Sequence, residues 1–538
     1  MEATRRGERL AAAWLWLRAP AGWLAIGGAV AAAALVVLGP LFAFAGVYIA
    51  AMPHDSLGMV DAGYRLVSGQ VPGRDFYSAQ GPLFQSQMGV ALWLGGDAAS
   101  ALKLATLFFM IAAGAAGAYV ARGRLSNLGA MALVFALLVL GAAPYAKADA
   151  FIEGVTFAMI YNRETWPILT LAALFWLEPR RTLRPRLDAA VLALLVAACL
   201  YIKVSYGGVA LLFGAAWLGL RARRWDSAVV FAATVALCAT AWEAVFGLGF
   251  NLAYLRDILF VAHAGGGRIP HIAYNLYDAR YELAVICVFM PLVVWAGRRP
   301  SSATYLFVLA TAAAALLIIW QNAQLEGLVL LWAAAAAMIE PVLAERADRA
   351  TPTDLFAPKA LALYAAWTAL IVGPSILAMG EYTYGSLHVA PRETAVPMIA
   401  KVRFQPAKPG PLAPGVVDPD AFARRLEAGV ALLSACPRSA RIFTLDLFDP
   451  FAPATGRPPS RGWSWHDLNH SFNAKIHPAA EAELGDIACV MIPLHPDSGR
   501  SRDGLWVVYG DYIRKQFPVV RTSPDWILRM RSPPSAGR

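Results

Sequence analysis

"AAMPHDSLGMVDAGYRLVSGQVPGRDFYSAQGPLF", Ala50 to Phe84, follows a long apolar run and breaks it with charge. The pair His54-Asp55 stands where the run ends. Arg74 and Asp75 follow a Gly-Gln-Val-Pro-Gly turn, then come Tyr77, Gln80 and the step Gly81-Pro82. A carboxylate at the edge of a bilayer loses solvation, which raises its pKa and makes it a better base. That is one reading of Asp55. The other is a helix cap, because "HDS" suits the start of a helix over "LGMVDAGYRLVSG". "PLFQSQMGVALWLGG" then predicts a short amphipathic helix on the membrane surface. Together these features describe a structured outer loop, residues 53–97, rather than a bare connection.

The surrounding chain says what the loop is attached to. It has 538 residues, 58% of them hydrophobic and 15% charged, against about 25% charged in an ordinary soluble domain. Several runs exceed the roughly 20 apolar residues that cross a bilayer. The run 22–51 is too long for the apolar core of a signal peptide and reads as a retained span. The expected fold class is an all-α polytopic membrane protein with a soluble C-terminal α/β domain.

Charge placement sets the topology. The net charge of +10 is gathered into clusters: Arg5, Arg6, Arg9 and Arg18; Arg122 and Arg124; Arg180, Arg181, Arg184 and Arg186; Arg221, Arg223 and Arg224; Arg298 and Arg299; Arg346, Arg349 and Lys359. They fall in alternate loops, which makes those loops cytoplasmic and predicts about eleven spans. The centres lie in 22–51, 98–121, 126–143, 155–177, 188–206, 207–220, 227–247, 282–297, 302–320, 325–343 and 360–380. The N-terminus is then cytoplasmic, and everything after about residue 381 is outside. Segment 282–297 and the pair meeting at "YIKVSYGG" have a re-entrant alternative. Clusters that read as topology signals do not form a nucleic-acid face, so no nucleic-acid partner is expected.

The predicted division is 1–380, transmembrane, and 381–538, soluble. In the tail "ARIFTLDLF" and "ACVMIPL" read as buried strands, "WVVYGDYIRKQF" as an amphipathic helix and "WILRMR" as a last strand. Of the five cysteines, Cys199, Cys238 and Cys287 read as packing residues in spans. Cys436 and Cys489 stand beside two of the strands, and spacing leaves open whether they pair.

Ionisable residues near apolar runs are Lys103, Lys147, Arg163, Glu164, Lys203, Glu243 and Glu326. Charges in a span cost a few kcal/mol and face a cavity or a partner. Arg163 and Lys203 suit a cationic pocket for a membrane-held phosphate. An Arg163–Glu164 ion pair, or snorkelling of either cation to an interface, is the structural alternative. "HDLNH" sets His466 and His470 at metal-ligand spacing without a further ligand nearby, so no metal is assigned. "GGG" at 265–267 lacks the Gly-Lys-Ser/Thr of a P-loop.

The loop, with its acid after the first span, its "DAGYRLVSGQVPGRDFY" helix and turn, and its "GPLF" step into a surface helix, resembles the GT-C superfamily of membrane glycosyltransferases, in the branch of protein mannosyltransferases and aminoarabinose transferases. Asp55 matches the acid, Tyr64 to Gly69 the helix and Gly81-Pro82-Leu83 the step. Many members carry two adjacent acids, where this chain has His54-Asp55-Ser56. The resemblance implies a GT-C-like fold in a bacterial inner membrane. It implies inverting transfer of a sugar from a polyprenyl-phosphate donor, at the outer (periplasmic) face, to a glycan, lipid or protein acceptor. Asp55, with His54, would be catalytic. Arg163, Lys203 and Arg74 would bind the donor phosphate, and Asp75, Tyr77, Gln80, Tyr64 and Asn162 would line the substrate site. No cofactor is assigned, and a divalent metal is left open. A transporter or flippase of an anionic lipid-linked substrate, and a non-catalytic assembly protein of the same fold, are the competing classes.

Overall fold

Apolar runs fold as helices because a bilayer leaves no water to satisfy a bare backbone. The computed structural model of the chain describes residues 2–78, 80–146, 154–181, 184–265, 287, 301–321, 327–345, 356–392, 394–406 and 418–532. Its apolar part contains α1 (Glu2–Arg18), α2 (Trp23–Ala43), α3 (Pro53–Val67), α4 (Pro82–Gly95), α5 (Ala98–Arg124), α6 (Asn127–Ala142) and α7 (Ile160–Ala173). These are followed by α8 (Pro185–Ile202), α9 (Val204–Ala216), α10 (Trp225–Phe246), α11 (Phe250–Ala264), α12 (Ser302–Gln321), α13 (Leu331–Glu345) and α14 (Phe356–His388). Short strands punctuate them: β1 (Val47–Ile49), β2 (Phe76–Tyr77), β3 (Tyr145–Ala146), β4 (Val155–Thr156) and β5 (Val402–Phe404). The C-terminal part contributes β6 (Arg441–Thr444), β7 (Gly462–Trp463), β8 (Ile487–Pro493), β9 (Val519–Thr522) and β10 (Trp526–Met530), with α15 (Pro419–Leu432), α16 (Phe451–Thr455), α17 (Ala480–Leu484) and α18 (Gly499–Gln516).

The molecule is mostly helical, with a small sheet-containing C-terminal region. Among the described residues seven helices are long and apolar enough to cross a membrane: α2, α5, α8, α9 extended to Ala222, α10, α12 and α14. The apolar helices α6 and α13 are shorter. The expected span 155–177 is a fourteen-residue helix, α7, with Pro167 inside it and one 3-10 turn after it. Segment 282–297 lies outside the described residues apart from Cys287, as do Lys147, Glu326, Gly266 and Gly267.

Small residues line the packed face of α2. Ala25, Ala29 and Ala33 lie buried along one face of α2, which lets backbones approach closely. Trp23, Leu24, Leu35 and Phe42 cover the outer face. At the end where α2 begins, Arg124 pairs with Asp188 at 2.8 Å and Arg180 with Glu340 at 2.9 Å, all four side chains buried. Glu340 also accepts from the Ser126 hydroxyl and amide. The basic clusters of that end are therefore partly internal struts.

The other end carries the outer loop and the C-terminal region. The first run does not stay helical to residue 51: α2 stops at Ala43, and Val47–Ile49 pairs in parallel with Val402–Phe404. Gly46 permits the approach, since a Cβ there would sit 2.2 Å from the Lys401 carbonyl oxygen. Phe76–Tyr77 likewise pairs in parallel with Gly462–Trp463. Arg65, fully buried, bonds Asp61 at 2.9 Å and the Ser460 carbonyl at 2.8 Å. Gln70 donates to the carbonyls of Pro459 and Ser460. The loop and the tail are thus one packed unit.

The four-stranded sheet runs in the order β6-β8-β10-β9, with β6 and β8 parallel and the remaining pairs antiparallel. Alternation decides its two faces. Ile442, Met491 and Leu528 join the core shared with the helices, while Phe443 and Val490 pack against Leu505, Tyr509 and Ile513 of α18. Cys436 and Cys489 form a disulfide, with their Cα atoms 6.5 Å apart. All three strands and the helix read in the tail are present, and α14 runs past residue 380 to His388.

Candidate functional site

The loop's position rests on two methionines. Met52 and Met159 both take left-handed backbone, φ 47° and 53°, immediately before α3 and α7. Non-glycine residues rarely adopt that region, and such strain clusters at functional sites. Pro53 then opens α3, with Met52 as its cap residue and no side-chain cap bond. Asp55 is therefore inside the first turn. The alternative reading, in which "HDS" caps the helix, does not hold.

The Gly81-Pro82 step has a physical reason as well. Gly81 N–H donates to the Ile202 carbonyl at 2.9 Å, just where α8 breaks. A Cβ on Gly81 would lie 2.0 Å from the Tyr201 carbonyl oxygen, so no larger residue fits. Lys203 bridges the break in extended backbone between α8 and α9. Its Nζ donates to Asn162 Oδ1 at 2.7 Å and lies 5.5 Å and 5.6 Å from the ring centroids of Tyr161 and Tyr206.

These parts surround a cavity of about 770 Å³. His54, Asp55 and Met59 line it from α3, Gln80 from the loop and Lys203 from the helix break. Ile258, Val261 and Ala262 of α11 give an apolar side. The C-terminal region closes it with Trp465, Asp467, Asp497 and Arg500. The cavity thus lies between the helices and the sheet.

Burial pushes the Asp55 carboxyl above its ordinary range. His54, whose Nε2 is 3.5 Å from Oδ1, opposes this, while Asp467 and Asp497 add to it. Asp497 is also raised by burial, against the pull of His54 and of Arg425, which it pairs with at 2.6 Å. Behind it Asp446 accepts from the amides of Asp497 and Ser498. Burial and Asp497 push Asp446 up to about 7. Asp467 pairs with Arg500 at 3.0 Å and lies 3.0 Å from His470.

Of the residues expected at the site, His54, Asp55, Gln80 and Lys203 line the cavity, and Asn162 stands one bond behind Lys203. The others do something else. Arg163 turns away: its guanidinium donates to the Leu140 carbonyl at 2.9 Å and sits over the Tyr145 ring. Its neighbour Glu164 accepts from Gln87 at 2.7 Å. Arg74 is exposed and bonds Asp75, whose carboxylate also holds the Val71 amide, so the two close a turn. Tyr77 packs against Trp463, and the Tyr64 hydroxyl donates to the Arg457 carbonyl.

Trp465, Asp467, Asp497 and Arg500 were not expected. A signal existed for one of them: Asp497 follows the buried strand β8 and precedes a helix, and ligand-binding groups gather at the carboxyl ends of parallel strands. His466 and His470 do not converge. His466 bonds Glu483 at 3.1 Å, and His470 faces Asp467. Among the described residues no three His, Cys, Asp or Glu side chains are grouped to hold a metal ion. With Asp467 and Asp497 each engaged by an arginine, the acids of the cavity do not fit a divalent ion as a ligand set.

Compared with models of known protein families and with curated proteins, the chain matches none.

Proposed function

We propose that the chain is a membrane glycosyltransferase of GT-C type, moving a sugar from a polyprenyl-phosphate donor to an acceptor hydroxyl at the outer face of a bacterial inner membrane. The observation that carries this reading is one cavity at the membrane-proximal end of the C-terminal region, lined by both a buried carboxyl, Asp55, and a cation, Lys203. A lipid-linked donor stays in the bilayer, so its reacting end meets protein where helices and soluble region join. The N-terminus would be cytoplasmic, with about eleven spans in all.

In this reading the acceptor oxygen attacks the anomeric carbon opposite the phosphate. The bond from that carbon to the phosphate oxygen breaks, and configuration inverts. Asp55 takes the hydroxyl proton, and its raised pKa makes it the stronger base. Lys203 meets the charge growing on the departing polyprenyl phosphate, held in place beforehand by Asn162 and the two tyrosines. His54 would tune Asp55 through its charge. Because the base must be ionised, transfer should rise with pH through the elevated Asp55 pKa.

The test pairs two variants. Asp55→Asn should lower transfer by about 10²-fold or more and remove that pH limb, with undecaprenyl phosphate still bound. Lys203→Gln should weaken undecaprenyl phosphate binding by about tenfold or more, the scale of one charge-assisted contact. Near-normal transfer by Asp55→Asn ends the base assignment. Transport of lipid-linked substrate across vesicles without transfer would favour the flippase class instead.

A further inference from the structure

The roof of the cavity belongs to the C-terminal region, and it has a chemistry of its own. Phe448 stacks on Trp465 with centroids 6.3 Å apart and planes 16° from parallel. Gly58, on α3 three residues after Asp55, packs under the same indole: a Cβ there would be 2.8 Å from Trp465 Cζ3. The ring is thus fixed by both partners, and it still lines the cavity. Beside it stand Asp467 and Asp497, each oriented by a cation, Arg500 at 3.0 Å and Arg425 at 2.6 Å. The Asp446 carboxylate fixes the loop itself by holding the amides of Asp497 and Ser498.

We infer that this roof is the acceptor subsite and that the acceptor it takes is a neutral sugar ring, stacked on Trp465 with its hydroxyls donating to Asp497 and Asp467. The inference rests on reading the cavity as a transferase site. Position argues for the acceptor rather than the donor. In an in-line displacement the acceptor lies opposite the phosphate and next to the base. Trp465 is packed on the helix that carries Asp55, and after His54 the roof acids are the charges that act on Asp55. Lys203 is held on another wall, by Asn162 and among Tyr161 and Tyr206.

Chemistry argues for a sugar. An aromatic face matches the apolar face of a pyranose, and an oriented carboxylate accepts hydroxyl donors through its remaining lone pairs. A peptide hydroxyl or a lipid alcohol offers no flat ring to Trp465. On this side of the cavity three carboxyls, Asp55, Asp467 and Asp497, stand against one lining arginine, Arg500, so a neutral ring is favoured over an anionic one.

The test uses the full-length protein in detergent, with cellobiose, maltose and a neutral serine-threonine hexapeptide as acceptor probes and undecaprenyl phosphate as the donor-side probe. Saturation-transfer NMR reads the first three and a lipid-binding titration the fourth. At least one disaccharide should bind the wild type, and the hexapeptide should not. Trp465→Leu and Asp497→Asn should each weaken disaccharide binding about tenfold, the range of one ring contact or one charge-assisted bond, with undecaprenyl phosphate affinity within about twofold of wild type. Trp465→Phe, which keeps a ring against Phe448, should restore most of the binding if Leu disturbs packing. Hexapeptide binding without disaccharide binding, or disaccharide affinity unchanged in both variants, overturns the inference. Undecaprenyl phosphate affinity unchanged in Lys203→Gln, with disaccharide binding lost in Trp465→Leu, keeps the sugar subsite and removes the donor pocket instead.

Discussion

Asp449 shows how a single carboxyl can set a pH limit on this molecule. Its Oδ1 accepts from the Thr444 hydroxyl and the Phe451 amide, while Oδ2 is buried without a partner. Burial, with the charge of Asp61 nearby, pushes it up to about 7, as burial and Asp497 do for Asp446. A carboxyl raised on folding contributes stability that is full below its unfolded pKa of about 4 and lost as pH rises through the folded value. Thermal stability should therefore fall as pH rises from about 4 to about 7. Asp449→Asn should lose part of that slope and the Asp446→Asn, Asp449→Asn pair a larger part, with Asp55 and Asp497, also raised by burial, keeping the rest; a pair with the wild-type slope contradicts the assignment. Arg163 makes a contrasting case. Arg163→Gln should leave undecaprenyl phosphate affinity unchanged while stability drops by about 1–3 kcal/mol, because the Leu140 carbonyl loses its donor. From sequence, Arg163 and Lys203 look alike, two cations in apolar surroundings. Placement separates them: Lys203 stands in the break between α8 and α9 and lines the cavity, whereas α7 turns Arg163 away from it.

Among elements, the α8–α9 break is the part most sensitive to a small change. Gly81→Ala would drive a methyl into the Tyr201 carbonyl, backbone that cannot move without shifting Lys203. The variant should lose about 1–3 kcal/mol of stability and should weaken undecaprenyl phosphate binding as Lys203→Gln does; wild-type affinity in Gly81→Ala would show that the break does not place the lysine. Element type was legible in the sequence where run length or amphipathicity marked it. The tail strands "RIFT" and "ACVMIP" follow from apolar runs of strand length, and the helix ending in "IRKQ" from amphipathicity. The strand Val47–Ile49 was not legible, because three apolar residues at the end of an apolar run carry no period of their own. Their pairing with Val402–Phe404 is decided by a segment far along the chain. The same distance hid the site: Asp55 could be singled out locally, whereas its neighbours Asp467 and Asp497 reach it only through folding.

For the whole molecule, the arginine clusters and the disulfide speak to the same question. The clusters predict which end stays inside, and a Cys436–Cys489 bridge is the habit of an oxidising compartment. A reporter active only outside the cytoplasm, fused after Arg538, should therefore be active, and a cytoplasm-only signal would overturn the proposed orientation. Replacing both cysteines by serine should cost about 2–4 kcal/mol by freeing the unfolded chain between them, read as a lowered melting temperature that reductant no longer changes. A melting temperature equal to wild type would show that the bridge adds nothing to the fold.

The two parallel strand pairings, Val47–Ile49 with Val402–Phe404 and Phe76–Tyr77 with Gly462–Trp463, have a bearing on biosynthesis. Each ties a segment made early to one made late, and a parallel pair cannot be closed by a hairpin. Until the last third of the chain has been made, Asp55 and Lys203 face an open bowl. The vessel is closed only when the segments bearing Trp465 and Asp497 have docked. A nascent or truncated chain would then have Asp55 and Lys203 in place and no chamber around them. Competence would arrive in a single late step of maturation.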